Sequence, residues 1–298
     1  MKKIFLAVVI LSSLFCAKAF SQETGLVLAG GGGKGAYEVG VWKAMNEYGI
    51  SKRITTISGT SVGGLNSALF ACVDNYDAIE SIWKNLVPSY LTEGDALISQ
   101  AGLSRIISMI ALTKLQNNKY PRVTVTAVQN RFLLTKTFLN SFSDKPGSYA
   151  TRFCLNEEKS ITEIRNKLLA TAAFPGVCNP IKLADGYEYY DGGFEQAGGD
   201  NVPLEPIVKN NGKNGVNVKT IFIVYLEKNP DRLYRDIDYD KFKLIRIIPS
   251  IDLGNILEGT TNFTSNRIKM LIDNGYNDAV KVLQENGYYP VSNYWFED

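Results

Sequence analysis

Along the chain, short apolar runs alternate with longer stretches of helical period, and glycines stand at many of the joins. Leu26 to Ala29 is an apolar run that stops at Gly30-Gly31-Gly32-Gly33. Beyond it Val39, Trp42, Met45 and Tyr48 recur near helical spacing, which predicts strand, glycine turn, helix. Gly49 ends that helix. Ile54 to Ile57 is a second β-branched run, interrupted at Gly59 and followed by helix-forming residues from Leu65 to Ala71. Two successive strand-turn-helix units predict a parallel sheet with helices over its faces and a site at the C-terminal ends of the strands.

From Ile79 to Gln116 the pattern is mostly helical, with Pro88 and Gly94 as expected breaks. It contains an unusually apolar stretch, Ile106 to Leu112, which reads as a buried core helix, as one wall of an acyl-chain pocket or as a membrane-facing cap. Val123 to Ala127 and Phe132 to Thr137 are expected as paired strands. Ser160 with Glu163 has the form of a capping box at the head of a helix over Ile161 to Ala173, which Pro175 ends. Asp185-Gly186 between Ile181–Leu183 and Tyr187–Tyr190 predicts a hairpin. Ile221–Leu226 and Lys243–Ile248 supply further strands. Phe263 to Glu285 is a closing helix in which Asn274-Gly275 marks an expected irregularity.

The first nineteen residues obey a different pattern: Lys2 and Lys3, the apolar run Ile4 to Leu11, then the small-x-small triplet Ala17-Lys18-Ala19. This is the layout of a cleavable secretory signal, and the apolar run is too short for a convincing membrane span. Cys16 follows the bulky Phe15, so cleavage after Ala19 without lipid attachment is expected, giving a secreted or periplasmic protein with one domain over 20–298. The core motifs of that domain fall at about 25–205, and a cap-like helical segment at about 79–116.

Composition sharpens this. Without residues 1–19 the chain keeps 29 basic against 30 acidic side chains, so no charge stripe points to nucleic acid. Three cysteines, Cys72, Cys154 and Cys178, cannot all pair with one another, and stability is expected from the core. The decisive count is His 0. A Ser-His-Asp triad is excluded, and a catalytic zinc site loses its usual ligand. Acid-base chemistry near neutral pH falls to carboxylate, lysine, tyrosine, cysteine or water.

Against that background three motifs carry chemistry. Gly59-Thr60-Ser61-Val62-Gly63 matches G-x-S-x-G between a strand and a helix, the context in which a strained turn exposes a nucleophilic serine. Gly30 to Gly33, at a helix N-terminus, can aim backbone amides at a developing oxyanion. Gly30, Gly32 and Gly35 also fit a dinucleotide fingerprint, but Ser58-Gly59 stands where that reading wants an acid. A P-loop is disfavoured by Leu28 and by Gly35 after Lys34. Asp191-Gly192-Gly193 follows a strand and makes Asp191 the leading base candidate, with Asp200 second.

Together these blocks resemble the patatin-like phospholipase family. Gly30 to Gly35, with Lys34, resembles its oxyanion block, Gly59 to Gly63 its elbow, and Asp191-Gly192-Gly193 its D-G-G block, in the family's order. Ala172-Ala173-Phe174-Pro175-Gly176 and Asp200-Asn201-Val202-Pro203 resemble two further segments. The resemblance implies a three-layer α/β/α fold with a mostly parallel central sheet, in a bacterial, exported member of the family. It further implies a Ser61–Asp191 dyad, an oxyanion hole chiefly from Gly31 and Gly32, and acyl-ester hydrolysis of phospholipids or related lipids, with a membrane surface as a candidate partner. No metal or cofactor enters that scheme. Lys34 stands where many relatives carry arginine, and the segment Phe194 to Gly199 is longer than in many of them. A thioesterase or peptidase with the same dyad, and a lipid-binding protein on this scaffold, remain as alternatives.

Overall fold

The computed structural model describes residues 23–92, 98–117, 121–130, 148–195, 198–213, 217–228, 230 and 239–291. The expected signal segment and the expected strand Phe132–Thr137 lie outside the described residues.

Among the described residues, eight strands form one mixed sheet. Strands β1 (Glu23–Leu28), β2 (Ile54–Thr60), β3 (Arg122–Gln129), β7 (Val218–Val224) and β8 (Lys243–Ile247) run parallel, in the spatial order β3-β2-β1-β7-β8. Strands β4 (Ala150–Cys154) and β6 (Glu188–Asp191) pair antiparallel with β3, and β5 (Ile181–Lys182) pairs antiparallel with β6. The period of two along the central strands divides their side chains between two apolar clusters. Leu26, Leu28, Phe222 and Val224 enter the larger core, whereas Val27, Ile221 and Ile223 face Leu204 and Ile207 on the opposite side. Both faces are therefore covered, as the three-layer α/β/α expectation requires.

The larger core is roofed by α1 (Ala36–Glu47), α2 (Val62–Cys72) and α8 (Ser265–Glu285). The expected irregularity at Asn274-Gly275 does not occur: α8 runs unbroken through it. Gly275 has a packing role instead. A Cβ there would lie 2.0 Å from the Tyr37 carbonyl oxygen, and one on Gly40 would lie 1.9 Å from that of Ile272, so α1 and α8 touch backbone to backbone.

Pro88 also fails to break its helix. The helix continues from α3 (Tyr76–Ser81) into α4 (Val87–Leu91) through a π-helical turn at Ile82–Leu86, which accommodates a residue with no amide hydrogen to give. The other expected break, Gly94, lies outside the described residues. Helix α5 (Gln100–Ser108) follows.

At the head of α6 (Ile161–Thr171) only half of the capping box forms. Ser160 Oγ accepts the Glu163 amide at 3.2 Å, while Glu163 Oε1 turns away to accept the Ala184 amide at 2.9 Å. The hairpin over Asp185-Gly186 is as expected, with Gly186 at φ 83°. A short α7 (Glu205–Asn210) covers the smaller core.

One register positions the site. Strand β2 pairs with β3 up to Thr60 opposite Thr126, and β6 pairs with β3 from Asp191 opposite Ala127. Strand β4 occupies the other edge of β3 over the same residues. Since a strand has two edges, β6 takes up the edge of β3 where β2 leaves it, and Asp191 arrives beside the residue that follows Thr60.

Candidate active site

That residue is Ser61, at φ 55° and ψ −126°, the one non-glycine residue with positive φ among the described residues. Such a conformation costs of the order of 1–3 kcal/mol and persists only where the surroundings enforce it. Its amide donates to Thr171 Oγ1 at 3.0 Å, and the Thr171 hydroxyl donates to the Thr126 carbonyl at 2.5 Å. Helix α2 begins immediately after it. The turn is tight enough that a Cβ on Gly63 would lie 2.3 Å from the Leu28 carbonyl oxygen, so the second glycine of the elbow has no substitute.

Asp191, at the end of β6, is 3% exposed. Its Oδ1 accepts the Gly193 amide at 2.8 Å, and Ser61 shares the same cavity wall. Burial pushes its pKa up to about 6 from an ordinary 3.8, and the two donors, Ser61 first, partly oppose that rise. Gly192 packs against the Thr126 carbonyl and passes the chain to Gly193.

The glycine loop after β1 lies alongside. The Gly30 amide donates to the Asn201 carbonyl at 3.1 Å and is thereby committed, and the Lys34 amide closes a turn onto the Gly31 carbonyl at 3.1 Å. The Gly31 and Gly32 amides donate to no other group among the described residues. Gly32 sits at φ 55°, and a Cβ on it would meet the Thr260 carbonyl oxygen at 2.2 Å. Gly33 and Gly35 are buried at the start of α1. The Lys34 side chain is half-buried, and desolvation lowers its pKa against the pull of Glu227 and Asp252.

Two cavities meet at this point. One is almost wholly apolar, lined by Leu65, Trp83, Leu91, Ile106, Ile107 and Phe263 among others. The second is a cleft of about 590 Å³ of mixed polarity, with Lys34, Glu195, Asn201 and Glu227 beside apolar residues on its walls. Gly32, Ser61, Phe174, Asp191 and Thr260 line both. The stretch Ile106 to Leu112 thus serves the core and the pocket wall together, with Met109 turned outward at 52% exposure. Among the described residues no group of three or more Cys, Asp or Glu side chains could hold a metal. Cys72, Cys154 and Cys178 are free thiols.

The sequence profile of the patatin-like phospholipase family matches residues 26–208. The chain belongs to that family. Over 50 residues it is 52% identical to Lysophospholipase nte1 of Aspergillus terreus and 50% identical to that of Aspergillus niger, stretches that make up 17% of this chain and 3% of each relative. The chain therefore spans a small fraction of the length of those proteins. Among solved structures, VipD from Legionella pneumophila shares the fold, with a TM-score of 0.53 at 12% identity over 89% of this chain and 67% of that one.

In this member of the family the sequence motifs missed a buried polar network behind the pocket. Asn66 Nδ2 donates to Glu38 Oε2 at 2.8 Å and to the Gly35 carbonyl at 3.0 Å, and Asn66 Oδ1 accepts Trp83 Nε1 at 3.0 Å. Glu38 is fully buried, and burial holds its carboxyl well above the usual range. A lone acid in the apolar face of Ala36 to Met45 was the available signal. Asp200, the second base candidate, is paired with Arg152 at 3.0 Å.

Proposed function

We propose that the protein is a serine acyl hydrolase acting on fatty-acyl esters of phospholipids or related lipids through Ser61 and Asp191. One observation carries the reading: a strained serine and a buried carboxylate stand on one wall where an apolar pocket and a cleft of mixed polarity meet. A lipid ester has that same division, an acyl chain on one side of the carbonyl and a polar alcohol on the other.

In the proposed mechanism Ser61 Oγ attacks the ester carbonyl while Asp191 takes its proton. The carbonyl oxygen becomes an oxyanion facing the Gly31 and Gly32 amides, which have no other acceptor among the described residues. Collapse expels the alcohol, which leaves with the proton from Asp191, and an acyl-enzyme remains with its chain in the apolar pocket. Water, deprotonated by the same carboxylate, then releases the fatty acid and restores Ser61. With no histidine in the chain, a carboxylate whose pKa is raised toward neutrality is the base within reach.

The test is hydrolysis of p-nitrophenyl esters and mixed phospholipid vesicles by wild type, Ser61→Ala and Asp191→Asn, with thioester and amide substrates alongside. Release of fatty acid that both folded variants lose supports the dyad. A wild type that prefers thioester or amide reassigns the substrate, and an active Asp191→Asn removes the base. The proposal includes export directed by residues 1–19, for which an N-terminus beginning at Phe20 in the extracytoplasmic fraction is the expected finding.

A further inference from the structure

Three segments remote in sequence must meet at Ser61: the end of β2, the turn after β6 and the glycine loop after β1. One dipeptide touches all three. The Asp200 carbonyl accepts the Thr60 hydroxyl at 2.7 Å, one residue before the nucleophile, and the Asp200 amide donates to the Gly192 carbonyl at 2.8 Å, one residue after the base. The Asn201 carbonyl accepts the Gly30 amide at 3.1 Å, and Asn201 Nδ2 returns a bond to the Gly30 carbonyl at 3.4 Å. A Cβ on Gly30 or on Gly193 would stand 2.4 or 2.7 Å from Asn201 Oδ1, so there is no slack at this junction.

What holds the dipeptide in turn is an ion pair. The side chain of Asp200 is fully buried and meets Arg152 Nη2 at 3.0 Å; the same nitrogen pairs with Glu205, and Nη1 donates to the Ala150 carbonyl at 3.2 Å. Arg152 lies on β4 opposite Thr126, which lies opposite Thr60 on β2, so one row across the sheet carries the guanidinium and the hydroxyl that grip Asp200 from either end. An ion pair with one partner buried is a weak source of net stability, because desolvation of the buried charge offsets attraction; fixing a geometry is the use such a pair can serve.

We infer that Arg152 and Asp200 are positioning residues, which set the spacing of nucleophile, base and oxyanion loop through the bonds of the Asp200-Asn201 backbone. This rests on the dyad reading for its catalytic consequence and not for its structural one.

The experiment pairs kinetics on a soluble p-nitrophenyl ester with hydrogen exchange of peptides covering Gly30–Gly33 and Gly192–Gly193. For Arg152→Met, kcat per folded chain is expected to fall ~10²-fold with KM little changed, as small misplacements of catalytic groups do. Amide exchange in both loops should accelerate, and Arg152→Lys should restore part of each effect. Wild-type kcat and unchanged loop exchange in Arg152→Met would overturn the inference, even if its Tm falls. If that variant does not fold, Thr60→Val, which removes one hydroxyl, is expected to lower kcat and loosen the Gly192–Gly193 peptide, and no change in either overturns it. Should the wild type hydrolyse no ester, the dyad reading fails and loop exchange alone decides the clamp.

Discussion

Oδ1 of Asp191 accepts the amide of Gly193, two residues on, at 2.8 Å. The bond fixes the carboxylate's rotation; the Ser61 hydroxyl and this amide both favour the ionised form, yet burial outweighs both and pushes the pKa to about 6. A base works only when ionised. The kcat/KM of a soluble ester is therefore expected to fall tenfold per pH unit below about 6 and to level off above it. A limb centred near 4 would mean that the working base is a solvated carboxylate elsewhere.

The same shift acts on stability with a definite sign. Folding raises this pKa from 3.8 to about 6, so the folded chain binds the proton more tightly; the contribution is fully present below pH 3.8 and is lost as pH rises through about 6. The whole difference is about 3 kcal/mol. Asp191→Asn removes the buried charge, and is predicted to lose ~10²–10⁴ in kcat while gaining about 0.5–2 kcal/mol at pH 8. Urea unfolding at pH 8 and pH 4 checks this: the gain should shrink at the lower pH.

The crossing of α1 and α8 gives a prediction about stability without chemistry. Ala at position 275 would put a methyl 2.0 Å from the Tyr37 carbonyl oxygen, on backbone that cannot swing aside. Overpacking of this kind costs about 1–3 kcal/mol or more. Gly275→Ala should lower Tm by several degrees in thermal unfolding, and a Tm equal to wild type would show that the helices can part freely.

Ile106 is 7% exposed and lines the apolar pocket. Ile106→Trp places a larger side chain on that wall. The kcat/KM for long-chain esters is expected to drop ~10-fold or more relative to the acetate ester, since single methylenes in such pockets discriminate by ~10–200-fold. Equal losses for both esters would place the acyl chain elsewhere.

Much of the site could be read in the sequence because strain leaves a compositional trace. Ser61 needs small neighbours, so Gly59 and Gly63 announce it, and Asp191 is marked by the two glycines after it. That the central strands run parallel followed from β-branched runs ending in glycine turns; their spatial order did not. Other features left no local mark. Strand β4 is only partly buried and shows no clean alternation, so it and Arg152 went unread. Pro88 read as a break because proline ends ordinary α-helix, and the π-turn that admits it depends on packing. Gly275 read as an irregularity because the Tyr37 backbone that explains it is far away in the chain.

Strand β1 lies between β2 and β7, with Glu23 paired to Val218, and α1 is bound to α8 by the Tyr37 hydroxyl on Asp278 at 3.0 Å. During synthesis the glycine loop between β1 and α1 therefore emerges early and waits for nearly all the described chain before its surroundings are complete. Such non-local closure makes folding slow. A nascent chain that already carries Ser61 and Asp191 still lacks the helix that α1 packs on, so under the proposed function ester hydrolysis should begin only once α8 has docked.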